Sequence, residues 1–150
     1  MTFEIKNAIS GSVKIAMKAG NKREVGALRL ALAAIKQQEV DTRTDVDDET
    51  AIGILTKLCK QRRESIEQFE KAGRTELAEQ EQFELELLQT YLPDELSDEE
   101  ILVAIIAAIA STGANSPKDM GLVMGNLKPS LHGRADMKAV SGIVKSRLAG

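Results

Sequence analysis

The sequence is poor in the residues that build many kinds of site. Among its 150 residues there is one cysteine, Cys59, and one histidine, His132. A single thiol excludes an internal disulfide framework and a multi-thiolate zinc site. A single imidazole excludes His-pair metal motifs. There is no tryptophan, and Phe3, Phe69, Phe83 and Tyr91 are the whole aromatic set. That argues against β-sandwiches and against RNA-binding sheets that stack bases on rings. Three prolines leave room for long helices. The longest strongly apolar run, Ile101 to Ala110, is ten residues, against the about 20 that a membrane span needs. The opening MTFEIKNAIS has no apolar stretch of signal-peptide length. These features, with the lone thiol, lead us to expect a cytoplasmic protein that does not engage a membrane.

What is present is helical periodicity almost throughout. Ile5, Ile9, Val13 and Ala16 share one helical face, and Ala19-Gly20-Asn21 breaks it. Val25, Leu28, Leu32 and Ile35 form a second stripe, and the polar segment from Val40 to Asp47 reads as a loop. Asp47 suits the cap of a long third helix along Ala51, Leu55, Leu58, Arg62, Ile66 and Phe69, closed by Gly73. Leu77, Leu85, Leu88 and Leu92 mark a fourth, stopped by Pro93. Ser97 and Glu100 make a capping box, with Leu96 and Ile101 as its hydrophobic staple. Ser116-Pro117 starts a short helix through Met120, Val123, Met124 and Leu127. Lys128 to Asp136 reads as a loop, and Asp136 caps a last helix buried along Val140, Ile143, Val144 and Leu148. The fold class is all-α, with no strand signal. A helical domain of about four helices over residues 1–93 precedes a small three-helix domain over 97–150.

Charge is unevenly distributed along the chain. The balance is +4 over residues 1–63, −11 over 64–100 and +4 over 101–150. The glutamates from Glu64 to Glu86 have no histidine among them and read as solvated helix faces rather than metal ligands. Cys59 lies among Lys57, Lys60, Arg62 and Arg63, cations that would activate a thiol, yet its place beside Leu58 reads as a small apolar packing residue. Cys59 and His132 fall in different domains, and no oxyanion-type glycine turn follows the cysteine. The survey therefore yields no catalytic residue, metal or cofactor. Lys118, Lys128, Arg134, Lys138, Lys145 and Arg147 face only two acids after Glu100. Lys138 and Lys145 share a helix face. Such a set suits phosphates gripped by charge and shape. Gly121 and Gly125, in GxxxG spacing, would let a neighbouring helix or a ligand backbone approach closely, and Gly133 suits a tight turn.

Several strings resemble the GatB/YqeY family: KQRRESIEQF from Lys60 to Phe69, EKAGRTEL from Glu70 to Leu77, YLP at 91–93, DMGLVMG at 119–125 and GRAD at 133–136. LRL at 28–30 and IKQQE at 35–39 also fit. The resemblance implies an all-helical, two-part protein. Its C-terminal part is similar to the tail domain of the B subunit of the bacterial tRNA-dependent amidotransferase, a tail that lies beside the tRNA elbow. Asp119, Gly121, Gly125, Gly133, Arg134 and Asp136 match the tail motif. By that resemblance Arg134 is the favoured phosphate contact, while the glycines and Asp136 shape the surface. Lys118, Lys128, Lys138 and Lys145 join on charge alone.

Three functions follow in order. The first is a non-catalytic accessory module binding tRNA or another structured RNA. The second is an adaptor docking to a tRNA amidotransferase or an aminoacyl-tRNA synthetase through an apolar patch of Met120, Met124 and Leu127. The third is carbon–nitrogen ligase (amidotransferase) activity on misacylated tRNA, implied by the family alone, since the catalytic domain of the larger subunit has no counterpart here.

Overall fold

Helical stripes become helices wherever a cap and a buried face coincide. A computed structural model describes residues 2–150. Among them are seven α-helices: α1 (Glu4–Lys18), α2 (Lys22–Thr42), α3 (Asp48–Lys71), α4 (Thr75–Gln89), α5 (Asp98–Thr112), α6 (Met120–Leu131) and α7 (Met137–Ala149). A 3-10 turn, Pro117–Asp119, leads into α6. The described residues contain no strand, as the all-α reading requires. By contact density the chain divides into two compact units, one ending at Leu92 and one beginning at Pro93.

In the first unit, α1 packs on α2 and α3 on α4, and smaller contacts join α2 to α3 and α4, and α1 to α3. The links between hairpin arms are short. Gly20 and Gly73 adopt φ of 70°, the left-handed conformation that lets a helix stop and the chain reverse. The core gathers Ile9, Leu28, Ile35, Leu55 and Leu88 with the smaller Ala31, Ala51 and Cys59. Cys59 is thus a packing residue, 1% exposed.

Polar side chains close the ends. Asp47 Oδ1 accepts from the Thr50 N–H at 2.9 Å, capping α3 as its position suggests. Asp48 works across the fold: its Oδ1 accepts from the Ile5 N–H at 2.9 Å, its other oxygen takes the Thr2 hydroxyl, and its own N–H reaches the Thr2 carbonyl at 2.8 Å. The first turn of α3 therefore caps α1, whose own N-cap, Phe3, has no suitable side chain.

The segment expected as a loop from Val40 to Asp47 is shorter. α2 continues to Thr42 and ends at Arg43, whose φ is 55°. Thr42 Oγ1 donates back to the Gln38 carbonyl at 2.8 Å, and Val46 is 2% exposed despite its polar surroundings. Glu39 holds this loop. Its Oε2 accepts from Lys6 Nζ at 2.6 Å and from the Val46 N–H at 3.0 Å. The Lys6 hydrogen bond first, then that of Val46, keeps the Glu39 carboxyl below its ordinary pKa. Thr50 does the same for Asp47, through its N–H and its hydroxyl. A lowered folded-state pKa contributes stability that is present above the unfolded value and lost as pH falls through the folded value. Urea unfolding from pH 7 downward should show an acid-side loss that Glu39→Gln makes shallower. An unaltered acid limb in Glu39→Gln would deny the clamp any role.

In the second unit, Ser97 and Glu100 form the capping box at α5. α5 and α7 pack on α6 around Ile105, Val123, Leu127, Leu131, Val140 and Val144. Leu96 and Ile101 also pack against this core. Four expectations need correction. Pro129 lies inside α6 rather than in a loop, because Leu127 and Leu131, one turn apart, are both buried and carry the helix past it. The ring withholds the N–H that would meet the Gly125 carbonyl and crowds that oxygen, and Gly125 is on the exposed side, where water can reach it. Ser116 makes no side-chain cap; Pro117 opens the 3-10 turn instead. Ile143, like Leu77 in α4, is exposed rather than on the buried face. Met120 and Met124 pack against the core and Leu127 is 2% exposed, so they form no docking patch.

Candidate nucleic-acid interface

The cations of the second unit are set by its caps and turns. Lys118 is exposed on the 3-10 turn and Lys128 in the last turn of α6. Lys138 is exposed in the first turn of α7, two positions after its cap, and Lys145 lies seven residues on. A span from position 118 to 128 in helical rise is about 15 Å, so Lys118 and Lys128 mark opposite ends of α6. The five-residue link to α7 keeps Lys138 near the Lys128 end. The 3-10 turn packs against α7 as well as α6, which brings Lys118 beside the helix carrying Lys138 and Lys145. Among the described residues, none of Lys118, Lys128, Lys138 and Lys145 forms an ion pair. The four lysines are exposed side chains distributed over the 3-10 turn, α6 and α7.

Arg134 has a further task that sequence does not disclose. Its Nε donates to the Asp94 carbonyl at 3.0 Å, and its own carbonyl accepts from the Leu96 N–H at 2.8 Å. These bonds lash the α6–α7 link to the segment entering α5. Arg134 is therefore a structural tie, half-buried, with its Nε already engaged. Gly133 has φ of 76°, so it must be glycine-like for this link to turn. Asp136 caps α7, accepting from the Lys138 N–H at 3.0 Å. Asp119 Oδ2 accepts from the Asn115 N–H at 3.0 Å and closes the turn before α6.

Of the two approaches expected at Gly121 and Gly125, that of a neighbouring helix is not made within the described chain. A Cβ at either would meet nothing within 4 Å. No part of the described chain approaches them, and they lie on an exposed face next to Leu122, which is 60% exposed. Other large apolar residues left to solvent in this unit are Leu102, Val103 and Ile106 of α5 and Ile143 of α7.

No three His, Cys, Asp or Glu side chains converge in a metal-binding group among the described residues. No single helix among them is long and apolar enough to cross a membrane.

An all-helical chain in which a small three-helix unit follows, in sequence, a larger helical unit is the class that the fold defines. The sequence matches the profile of the Yqey-like protein family over residues 6–148, and the chain belongs to that family. Among curated relatives, it is 42% identical over 81 residues to the Altered inheritance of mitochondria protein 41, mitochondrial, of Eremothecium gossypii; the match covers 53% of this chain and 44% of that protein. The Kluyveromyces lactis protein of the same name is 29% identical over 143 residues, 93% of this chain and 73% of that one. The Pyrenophora tritici-repentis protein is 29% identical over 128 residues, 85% and 71% of the two. The chain thus spans less than half the length of the Eremothecium relative. These relatives are named as mitochondrial, which overturns the cytoplasmic expectation. A lone thiol, buried as Cys59 is, carries no information about compartment.

Proposed function

We propose that the chain is a non-catalytic accessory module that binds tRNA or another structured RNA through its C-terminal unit. The observation that carries this reading is the set of exposed lysines on the 3-10 turn, α6 and α7 that have no ion-pair partner among the described residues. They stand in a segment whose remaining acids, Asp119 and Asp136, are tied up in local hydrogen bonds. Backbone recognition of this kind depends on charge and shape, not on base edges.

Titration of labelled bulk tRNA at several salt concentrations tests it. Four phosphate contacts give a log–log salt slope of about −3.6, and each lysine removed lowers its magnitude by roughly one. Lys128→Gln with Lys138→Gln should reduce the slope to about half. Arg134→Ala does not discriminate, because it also cuts the tie to Asp94. No binding at low salt, or an unchanged slope in the lysine variant, would sink the proposal.

The second reading is a protein adaptor, with a tRNA amidotransferase or synthetase as partner. It rests on Leu102, Val103 and Ile106, exposed by 37, 67 and 46% along α5. Binding to such a partner that survives nuclease treatment and is lost in Val103→Asp would favour it over RNA.

A further inference from the structure

The end of α1 and the start of α2 border an open groove of about 360 Å³. Ala16, Met17, Val25 and Gly26 form its apolar wall, and Lys22 and Arg29 are its charged lining. No acid lines it. Met17 is 53% exposed, with its Sδ accepting from Arg29 Nη2 at 3.5 Å. Gly26 is the opening itself: a Cβ built there meets nothing within 4 Å. A groove of this chemistry fits an apolar side chain flanked by carboxylates.

The same unit displays such a side chain. Leu77, in the first turn of α4, is 44% exposed, and Glu76 and Glu79 beside it are exposed too. Leu77 does not fill the groove of its own chain. It is nevertheless held near it. Arg23, adjacent to Lys22, donates to Gln80 Oε1 at 2.9 Å and to the Glu79 carbonyl at 3.3 Å, and its guanidinium lies 4.1 Å from the centre of the Phe83 ring. Groove and knob are thus neighbours on one unit. A two-fold rotation can pair each groove with the other copy's knob and close the contact instead of propagating it.

We propose that the chain self-associates as a two-fold dimer, the partner's Leu77 entering the Met17–Val25–Gly26 groove and the partner's Glu76 and Glu79 facing Lys22 and Arg29. One groove and one helix turn per side make a small interface, so the dimer should be weak, in the micromolar to submillimolar range. Its ion pairs are exposed at the rim, so salt should loosen it.

Sedimentation equilibrium on the whole chain, from micromolar to submillimolar concentration, is the test. The expected result is reversible dimerisation that weakens with salt. Gly26→Leu fills the groove at a helical position with free space, so the fold should hold, as circular dichroism will verify, while dimerisation weakens by about tenfold or more. Arg29→Glu and Glu79→Lys should each weaken it, and the two combined in one chain should restore it. A chain that stays monomeric throughout, a dimer indifferent to Gly26→Leu, or failure of the charge swap to restore would overturn the proposal. Monomeric chain that binds an added acidic peptide in the groove would overturn it equally, assigning the surface to another protein.

Discussion

Leu55→Ala should destabilise the first unit by about 3–4 kcal/mol, the usual cost of a leucine truncated in a core that cannot collapse around the gap. Leu55 is fully buried in the first half of α3, in one core with Ile9, Leu28, Ile35, Leu85 and Leu88. A unit of this size has a stability of roughly 5–10 kcal/mol, so the loss is a large part of it and should lower Tm by about 15 °C or more. Tyr91 packs against this same core and is the sole tyrosine, so its near-ultraviolet signal reports the first unit specifically. Ile105→Ala, in the core of the second unit, should leave the midpoint read by Tyr91 in place. A loss under about 1 kcal/mol in Leu55→Ala would mean that the core around α3 is loosely packed.

The second large effect is expected at Arg62. Its Nε lies 3.2 Å from Glu81 Oε2 and 2.8 Å from Glu84 Oε2, with all three side chains less than a quarter exposed. Neither Arg62 Nε nor Glu81 Oε2 has an aligned hydrogen bond, so the contact is ionic in character. Burial pushes the Glu81 carboxyl above its ordinary pKa; Arg62 opposes the rise and the Glu84 charge adds to it. Arg62→Met leaves two carboxylates facing each other without a cation. At neutral pH this should cost about 2 kcal/mol, between the values for exposed and fully buried pairs. The sign with pH is opposite to that of Glu39. A carboxyl with a raised folded-state pKa favours the folded chain at acid pH and loses that contribution as pH rises through the folded value. The deficit of Arg62→Met should therefore shrink on going from pH 7 to pH 5, and Glu81→Gln in the same chain should recover part of it. A deficit that is equal at both pH values would show that the guanidinium acts through packing alone.

These two residues also separate what is readable along a chain from what is not. Leu55 is legible in sequence because its helix has apolar residues at three- and four-residue spacing. Arg62 falls in the same stripe, and spacing alone marks its position without giving its partners, which come from α4 some twenty residues later. The same holds at the candidate interface. Lys118, Lys128, Lys138 and Lys145 stand out by charge, and exposure needs no tertiary detail to anticipate. Arg134 stands out equally, yet its Nε is engaged by the Asp94 carbonyl, forty positions away. Gly121 and Gly125 carry a spacing that suggests close approach, and nothing in the described chain approaches them.

By itself the sequence determined the all-helical class, the capping by Asp47, Ser97 and Asp136, the left-handed end at Gly73, and the family. The caps and helix ends depend on residues within a few positions of one another, so local chemistry is sufficient for them, and the family is carried by strings whose order and spacing are already in the sequence. Tertiary structure alone decided the cap that Asp48 lends to α1, the Lys6–Glu39–Val46 clamp, the run of α6 through Pro129 and the groove at Gly26. In each of these the deciding free energy comes from burial or hydrogen bonding between segments that only folding brings together, and no period or motif records that meeting.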